Sequence, residues 1–262
     1  MSPSKRAALS CFVLAACACA ALGLSPTTTS SDWSVPRRYA GHVVNSRLRF
    51  FPTKLLALTF DDGPDPVNTP QVLKALAAYH AHATFFVIGG IAKRHPELLR
   101  KIVAGGNCVG NHSFTHPISV SAAGARRELD DTAAAIKKAI GRNPTCFRPP
   151  YGIIKGNLAH TAQSLGYPVI TWTVSSADTR PIDSRFIANN VIHTPNPGDI
   201  VLMHDGAGHK ATAAAVPMIL RELSAAGFRF VTLPELFRAW DQWLRTHAAK
   251  APAKPHLVKG RK

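Results

Sequence analysis

The chain has 262 residues, of which 46% are hydrophobic and 18% charged. That balance excludes a disordered chain and allows one large α/β domain or two small ones. The formal net charge of +16 favours anionic surfaces such as wall polymers, anionic lipid or nucleic acid. No aromatic-basic stripe of the kind that stacks single-stranded bases accompanies it, so nucleic acid is not an expected partner.

Lys5 and Arg6 precede an almost unbroken small or apolar run from Ala7 to Leu24, and a polar stretch from Ser25 to Ser31 follows. This reads as an export signal over residues 1–20. An uncleaved membrane anchor is the alternative, because the run is about long enough to span a bilayer. Two cleavage readings stay open. Ala18-Cys19-Ala20 has the small-x-small form of an ordinary signal peptidase site, and Leu14-Ala15-Ala16-Cys17 resembles a lipobox ending in a lipidated Cys17. The expected location is periplasmic, envelope-associated or secreted, with membrane attachment by lipid or anchor left open. Residues 21–50 read as a linker that gains structure toward its end.

From Leu55 short apolar runs alternate with helical stretches, the pattern of an α/β domain with parallel strands. The predicted strands are Leu55–Phe60, Ala83–Ile88, Cys108–Asn111, Cys146–Pro149, Val169–Val174, Ile200–His204 and Phe228–Thr232. The predicted helices are Thr69–Tyr79, Pro96–Ala104, Glu128–Ile140, Asn157–Leu165, Arg185–Ile192, Ala211–Ala225 and Pro234–Leu244. Polar residues follow one strand after another: Asp61-Asp62, His112, Arg148, Asp178 and His204. Several strands delivering polar side chains to one rim is what a closed (β/α) barrel does, whereas an open sheet gathers them at one switch point. The expected fold is a distorted barrel of about seven parallel strands, a single catalytic domain over residues 51–246. A basic tail, residues 247–262, closes the chain; from Leu244 onward it holds six Lys or Arg and no acid, so it reads as flexible and solvated. The protein is expected to be a monomer. Cys108 and Cys146 lie in the body; they could be joined in an oxidising compartment or stand as two buried thiols, and spacing does not decide.

The chemistry-bearing residues come in five motifs. In Asn111-His112-Ser113-Phe114-Thr115-His116-Pro117 the two histidines are four apart, a spacing that lets one helical turn present both to a cation; two surface histidines produce the same spacing. Thr59-Phe60-Asp61-Asp62-Gly63-Pro64 puts two carboxylates where a strand ends, and a solvated turn reads the same way. Two His and one Asp make a three-ligand site with an open position, the form of a catalytic zinc. Phe147-Arg148-Pro149-Pro150-Tyr151-Gly152 is a stiff loop whose arginine can grip a carboxylate through a bidentate fork. Asp178 follows Trp172, and Val201-Leu202-Met203-His204-Asp205-Gly206 ends a strand on a histidine.

The order of these motifs, with Ala83-Thr84-Phe85-Phe86-Val87-Ile88-Gly89, resembles the NodB-homology polysaccharide deacetylases, a group of metal-dependent carbohydrate esterases, over about residues 51–240. The resemblance implies a distorted (β/α) barrel that removes acetyl groups from N-acetylated sugars. It implies Asp62, His112 and His116 as metal ligands, Asp61 as the base that takes a proton from the attacking water, and His204 as the acid that protonates the leaving amine. Arg148 would hold Asp61, Asp178 would orient His204, the Tyr151 N–H would stabilise the oxyanion, and Leu202 would line the acetyl pocket. The implied cofactor is a divalent metal, zinc by default, with cobalt, nickel or manganese also suited to the ligand set. The substrate is a GlcNAc-containing polysaccharide: peptidoglycan first, chitin oligosaccharide or another exopolysaccharide second, with acetyl xylan also open. A carbohydrate-binding protein without activity is the reading from another class, and it fits poorly with a complete set of catalytic and ligand residues. One departure is visible: Thr179 stands where the family usually has the Trp that walls the acetyl pocket, which puts substrate fit in question. The remaining histidines, among them His80, His82, His95, His160, His193 and His209, read as surface residues.

Overall fold

The computed structural model describes residues 32–48, 50–180, 182–247 and 257–259. The expected export signal, the two expected cleavage sites and most of the expected tail lie outside the described residues. The strands are β1 (Val43–Val44), β2 (Ser46–Leu48), β3 (Leu55–Asp61), β4 (Ala83–Val87), β5 (Cys108–Asn111), β6 (Val169–Ile170), β7 (Val174–Ser175), β8 (Ile200–His204), β9 (Arg229–Phe230) and β10 (Leu257–Lys259). The α-helices are α1 (Asn68–Ala78), α2 (Gly89–Arg94), α3 (Pro96–Ala104), α4 (Ala122–Ile140), α5 (Asn157–Ser164), α6 (Ser184–Ile192), α7 (Lys210–Ala225) and α8 (Leu233–Thr246).

Every residue of β3 is buried, as expected of a central parallel strand covered on both faces. It lies between β4 and β8 in a sheet ordered β5-β4-β3-β8-β7, and its pairings with both neighbours are parallel. Beyond β5, Phe147 makes single parallel bridges to Asn111 and to Val169. The segment 169–175 then closes the ring, pairing with Phe147 at one end and with β8 at the other. β9 flanks the start of β3. This is the expected distorted barrel of parallel strands.

Two predicted strands are shorter than their apolar runs. Cys146–Pro149 contributes only the Phe147 bridges, because Pro149 and Pro150 carry no N–H for a ladder. Val169–Val174 is split into β6 and β7. At the break, Arg148 takes the carbonyls of Ile170 (3.4 Å) and Thr171 (3.0 Å), so those acceptors serve a guanidinium. Helix α2 went unread because it opens on two glycines, which are poor helix formers. Its glycines serve packing: a Cβ on Gly89 would stand 2.4 Å from Thr132 Oγ1 of α4.

The stretch expected as a linker packs on the body from residue 32 onward. Trp33, Tyr39, Val44 and Leu48 are buried. β1 pairs in parallel with β6, and β2 runs antiparallel to β10, so three residues of the expected free tail have a partner strand. Tyr39 stacks on Phe237 at 4.7 Å between ring centroids, and Trp240 of α8 is completely buried beside them. These aromatics form one core with Leu55, Ala57, Ile170 and Ile200 at the N-terminal ends of the strands. α8 is anchored there by a reciprocal cap: Thr232 Oγ1 accepts from the Glu235 N–H, and Glu235 accepts from the Thr232 N–H at 2.7 Å. Such a cap contributes about 1 kcal/mol. A second core packs α1, α6 and α7 against the outside of β3, β4 and β8. Cys108 and Cys146 are buried free thiols; burial pushes Cys108 well up and Cys146 to about 12. No helix among the described residues is long and apolar enough to cross a membrane.

Candidate active site

All the predicted site residues meet at the C-terminal rim of the barrel. Asp61 and His204 end neighbouring strands and are in register. Asp62, Ser113, His116, Tyr151 and Ala177 each adopt a positive φ between 58° and 68° without being glycine. A left-handed residue with a Cβ costs about 1–2 kcal/mol, and such strain gathers at functional sites. Here it turns each loop sharply as it leaves its strand.

His112 and His116 are not on a helical turn. Their loop is irregular and held by side chains: Asn111 Oδ1 accepts the Ser113 N–H (2.9 Å), Ser113 Oγ accepts the His116 N–H (3.1 Å), and Glu128 of α4 accepts the N–H groups of Phe114 (2.7 Å) and Thr115 (2.8 Å). Glu128 and Asn111 thus shape the loop without touching the site; a lone Glu in a helix gives no sequence signal for that role. His112 Nδ1 lies 2.8 Å from the Arg148 carbonyl. A carbonyl only accepts, so Nδ1 carries the proton and Nε2 presents a lone pair. Nε2 of His112 and Nε2 of His116 each stand 3.3 Å from Asp62 Oδ1. That oxygen is buried and accepts no hydrogen bond. Ligands about 2.0–2.1 Å from a tetrahedral ion lie about 3.3–3.4 Å apart, so these three atoms could hold a metal ion. Burial works to raise Asp62, and the imidazoles of His112, His204 and His116 outweigh it and hold it at about 2. Burial and His112 lower His116, keeping its ring neutral and able to ligate.

Asp61 is buried beside this cluster, with its Oδ2 3.8 Å from His112 Nε2. Its Oδ1 accepts from Arg148 Nη1 at 2.8 Å. The expected bidentate fork is not formed: Nη1 also reaches Thr59 Oγ1 (2.7 Å), Nη2 and Nε go to the carbonyls of Thr171 and Ile170, and the guanidinium lies 4.3 Å over the Phe86 ring. Arg148 is fully buried and spends its donors on the barrel wall, leaving Asp61 Oδ2 unclaimed for chemistry. Burial lowers the Arg148 pKa and the Asp61 carboxylate offsets it.

His204 stands across from them. Its Nδ1 is 2.8 Å from Asp178 Oδ1, and its backbone N–H donates to Asp178 Oδ2 at 2.8 Å. Thr212 Oγ1 donates to the same Oδ2 at 2.7 Å. Burial would lower His204, but the Asp178 carboxylate, with Asp61 and Asp62 behind it, raises it to about 9. Burial would raise Asp178, and its bonds to His204 and Thr212 lower it instead. His209, expected on the surface, stacks on His204 with centroids 4.9 Å apart and planes 21° apart. Its sequence position in a Gly-rich loop hides this, because the loop folds back over the rim.

Leu202 is buried two residues before His204, on the same face of β8. Tyr151 is held between Pro150 and Gly152, with its ring 4.7 Å from His116 and 59% exposed. Trp172 backs this loop: a Cβ on Gly152 would stand 2.8 Å from its ring. Trp172 thus supplies an aromatic wall beside Tyr151 on a chain where Thr179 follows Asp178. Asp205 is a further acid, buried under Gly63, with Oδ2 2.5 Å from Thr69 Oγ1 and Oδ1 without a partner. Burial, reinforced by Asp61 and Asp62, raises it to about 7.

A buried carboxylate held by an arginine, a buried histidine held by a carboxylate, and three side chains that could hold a metal stand on one barrel rim, an arrangement suited to a metal-using hydrolase. The polysaccharide deacetylase family model matches residues 50–170. A peptidoglycan-N-acetylglucosamine deacetylase of Bacillus cereus is 40% identical over 190 residues, 71% of this chain and 89% of that protein. The peptidoglycan-N-acetylmuramic acid deacetylase PdaC of Bacillus subtilis is 37% identical over 185 residues, 70% of this chain and 38% of that protein. The crystal structure of the Bc1960 peptidoglycan N-acetylglucosamine deacetylase superposes with a TM-score of 0.71 at 28% identity, covering 86% of this chain and 97% of that one. The chain belongs to the polysaccharide deacetylase family and is a hydrolase of amide bonds on acetylated sugars.

Proposed function

We propose that this protein is an exported enzyme that removes acetyl groups from the N-acetylated sugars of a GlcNAc-containing cell-envelope polysaccharide, with peptidoglycan as its first substrate. One observation carries the reading. Two imidazole nitrogens and an unbonded carboxylate oxygen converge at 3.3 Å, with an unclaimed Asp61 oxygen on one side and His204 on the other. Asp62, His112 and His116 would hold the divalent metal, zinc by this donor set and spacing. When bound, it supplies Lewis-acid polarisation and a lowered water pKa.

Asp61 accepts the proton of the attacking water at Oδ2, while Arg148 keeps Oδ1 occupied and the carboxylate oriented. The Tyr151 N–H, fixed by its proline-bounded turn, faces the oxyanion that develops on the acetamide. His204 carries protons on both ring nitrogens below pH about 9 and gives one from Nε2 to the departing amine, since Nδ1 is engaged by Asp178. Leu202 and Trp172 wall the space for the acetyl methyl. A groove of about 170 Å³, lined by Pro117, Ile118, Pro150, Ile153 and Asn157, opens beside His116 and Tyr151 and gives a neighbouring sugar its place. The net charge of +16 supports an anionic polymer as target, and the apolar N-terminal run supports export. The named activities of the Bacillus relatives agree with peptidoglycan.

Acetate release by the zinc-loaded protein on peptidoglycan, chitin oligomers and acetylated xylan tests this. Fastest release from peptidoglycan is expected. Release from acetylated xylan alone would overturn the amide substrate, and release from none would overturn the activity.

A further inference from the structure

We propose that Asp178, His204 and His209 form a second divalent-cation site, and that an ion there silences the enzyme by taking the place of the proton on His204 Nδ1. The inference rests on the reading of His204 as the acid only for its effect on rate.

One ligand atom from each residue lies within 4.8 Å of the others. The His204 Nδ1 to Asp178 Oδ1 distance is 2.8 Å, and the His209 Nδ1 to Asp178 Oδ2 distance is 3.9 Å. These values bracket the separation of about 3.3–3.4 Å that tetrahedral zinc demands of its ligands. A shift of about half an ångström by one carboxylate would equalise them. The set is chemically the same as that of Asp62, His112 and His116, and the stack of His204 on His209 holds both rings on one side of Asp178. Burial and the neighbouring His204 lower the His209 pKa, which favours the neutral ring that can ligate. Side-chain exposures of 1% for Asp178, 10% for His204 and 19% for His209 leave an approach from the His209 side.

The exchange balances. The doubly protonated His204 releases its Nδ1 proton to solvent, and the cation takes that lone pair together with Asp178 Oδ1 and His209 Nδ1. The ring keeps one proton on Nε2. A coordinated neutral imidazole holds that proton far more tightly than an imidazolium does, so the leaving amine goes unprotonated.

Equilibrium dialysis against zinc tests the proposal on the full chain, with His209→Asn as the main variant and His209→Ala as the second; thermal unfolding checks that each is folded. His209 contributes to neither the first cluster nor the acid–base pair. The wild type is expected to bind two equivalents and the His209 variants one, with the first equivalent equally tight in all. His112→Ala should keep only the second. Acetate release by the wild type should fall about a hundredfold as the second equivalent binds, the scale of a lost general acid, while the His209 variants stay active at the same zinc concentration. A single equivalent in the wild type, or two in both His209 variants, or equal inhibition of wild type and variants, overturns the inference. Should no substrate release acetate while dialysis still shows a His209-dependent second equivalent, the deacetylase reading falls and the second site stands.

Discussion

In the Asp62–His112–His116 cluster the carboxylate oxygen meets two imidazole nitrogens at 3.3 Å and accepts no hydrogen bond. In the Asp178–His204–His209 cluster the carboxylate accepts three, from the His204 ring, the His204 N–H and the Thr212 hydroxyl. The donor atoms are the same in kind, so composition does not separate the two. What differs is how far the carboxylate is already satisfied. A buried polar atom without a partner costs about 1–3 kcal/mol, and a cation held by the three side chains would remove that cost at Asp62. At Asp178 the same role is filled by protons, which makes His204 a strong base for a histidine and a well-supplied acid.

The largest break in this comparison is His112→Ala. It removes one of the three proposed ligands, and acetate release should fall by about three orders of magnitude or more. Metal content by elemental analysis should fall with it; unchanged content would remove His112 from the ligand set. Next comes Asp61→Asn, expected to lose two to four orders of magnitude, roughly what a general base supplies, with metal retained. Undiminished acetate release would refute Asp61 as the base.

Asp178→Asn tests the other cluster. With Asp178 present, His204 stays protonated up to about 9, so activity should decline on the alkaline side near that pH. Without it the alkaline limb should move down toward the ordinary histidine range near about 6.5. The sign of the stability effect follows. A His raised on folding stabilises the fold fully below its unfolded pKa and loses that contribution as pH rises through the folded value. The wild type should therefore lose stability between about 6.5 and 9, and the variant much less. A limb that stays near pH 9 in the variant would detach Asp178 from the acid. The smallest effect belongs to Thr212→Val, which removes one of three donors to Asp178. Thermal or urea unfolding should show a loss of about 1 kcal/mol, with a slight downward shift of the same limb. A variant as stable as wild type would show that the hydroxyl bond adds nothing.

Much of this was legible in the sequence where the message is carried by strands. Asp61 and His204 sit at the ends of apolar runs, and a strand end fixes where its last side chain goes. The barrel followed from polar residues recurring after several strands. Loops were read less well, because their shapes depend on distant partners. The spacing of His112 and His116 fits a helical turn, yet Glu128 and Asn111, from another helix and from the strand, pull the backbone into a loop with Ser113 and His116 left-handed. Arg148 was expected to give both arms to a carboxylate; the frayed strand 169–174 claimed most of them. His209 carried no pattern at all, since its neighbour in space is five residues away across a turn that glycines permit. The expected linker over residues 21–50 hides Trp33, Tyr39, Val44 and Leu48, which are scattered among polar residues and find partners far along the chain: Arg142 for Trp33, Phe237 for Tyr39, Ile170 for Val44 and Leu257 for Leu48.

Tyr39 of that N-terminal segment packs with Phe237 and Trp240 of α8 around the first residues of β3 and β8, at the end of the barrel away from the rim. Because Asp61 and His204 stand on the rim at the other end, an arriving acetyl group and departing acetate would contend for the same space there, and accumulated acetate should slow the enzyme by standing where the next acetyl group has to enter.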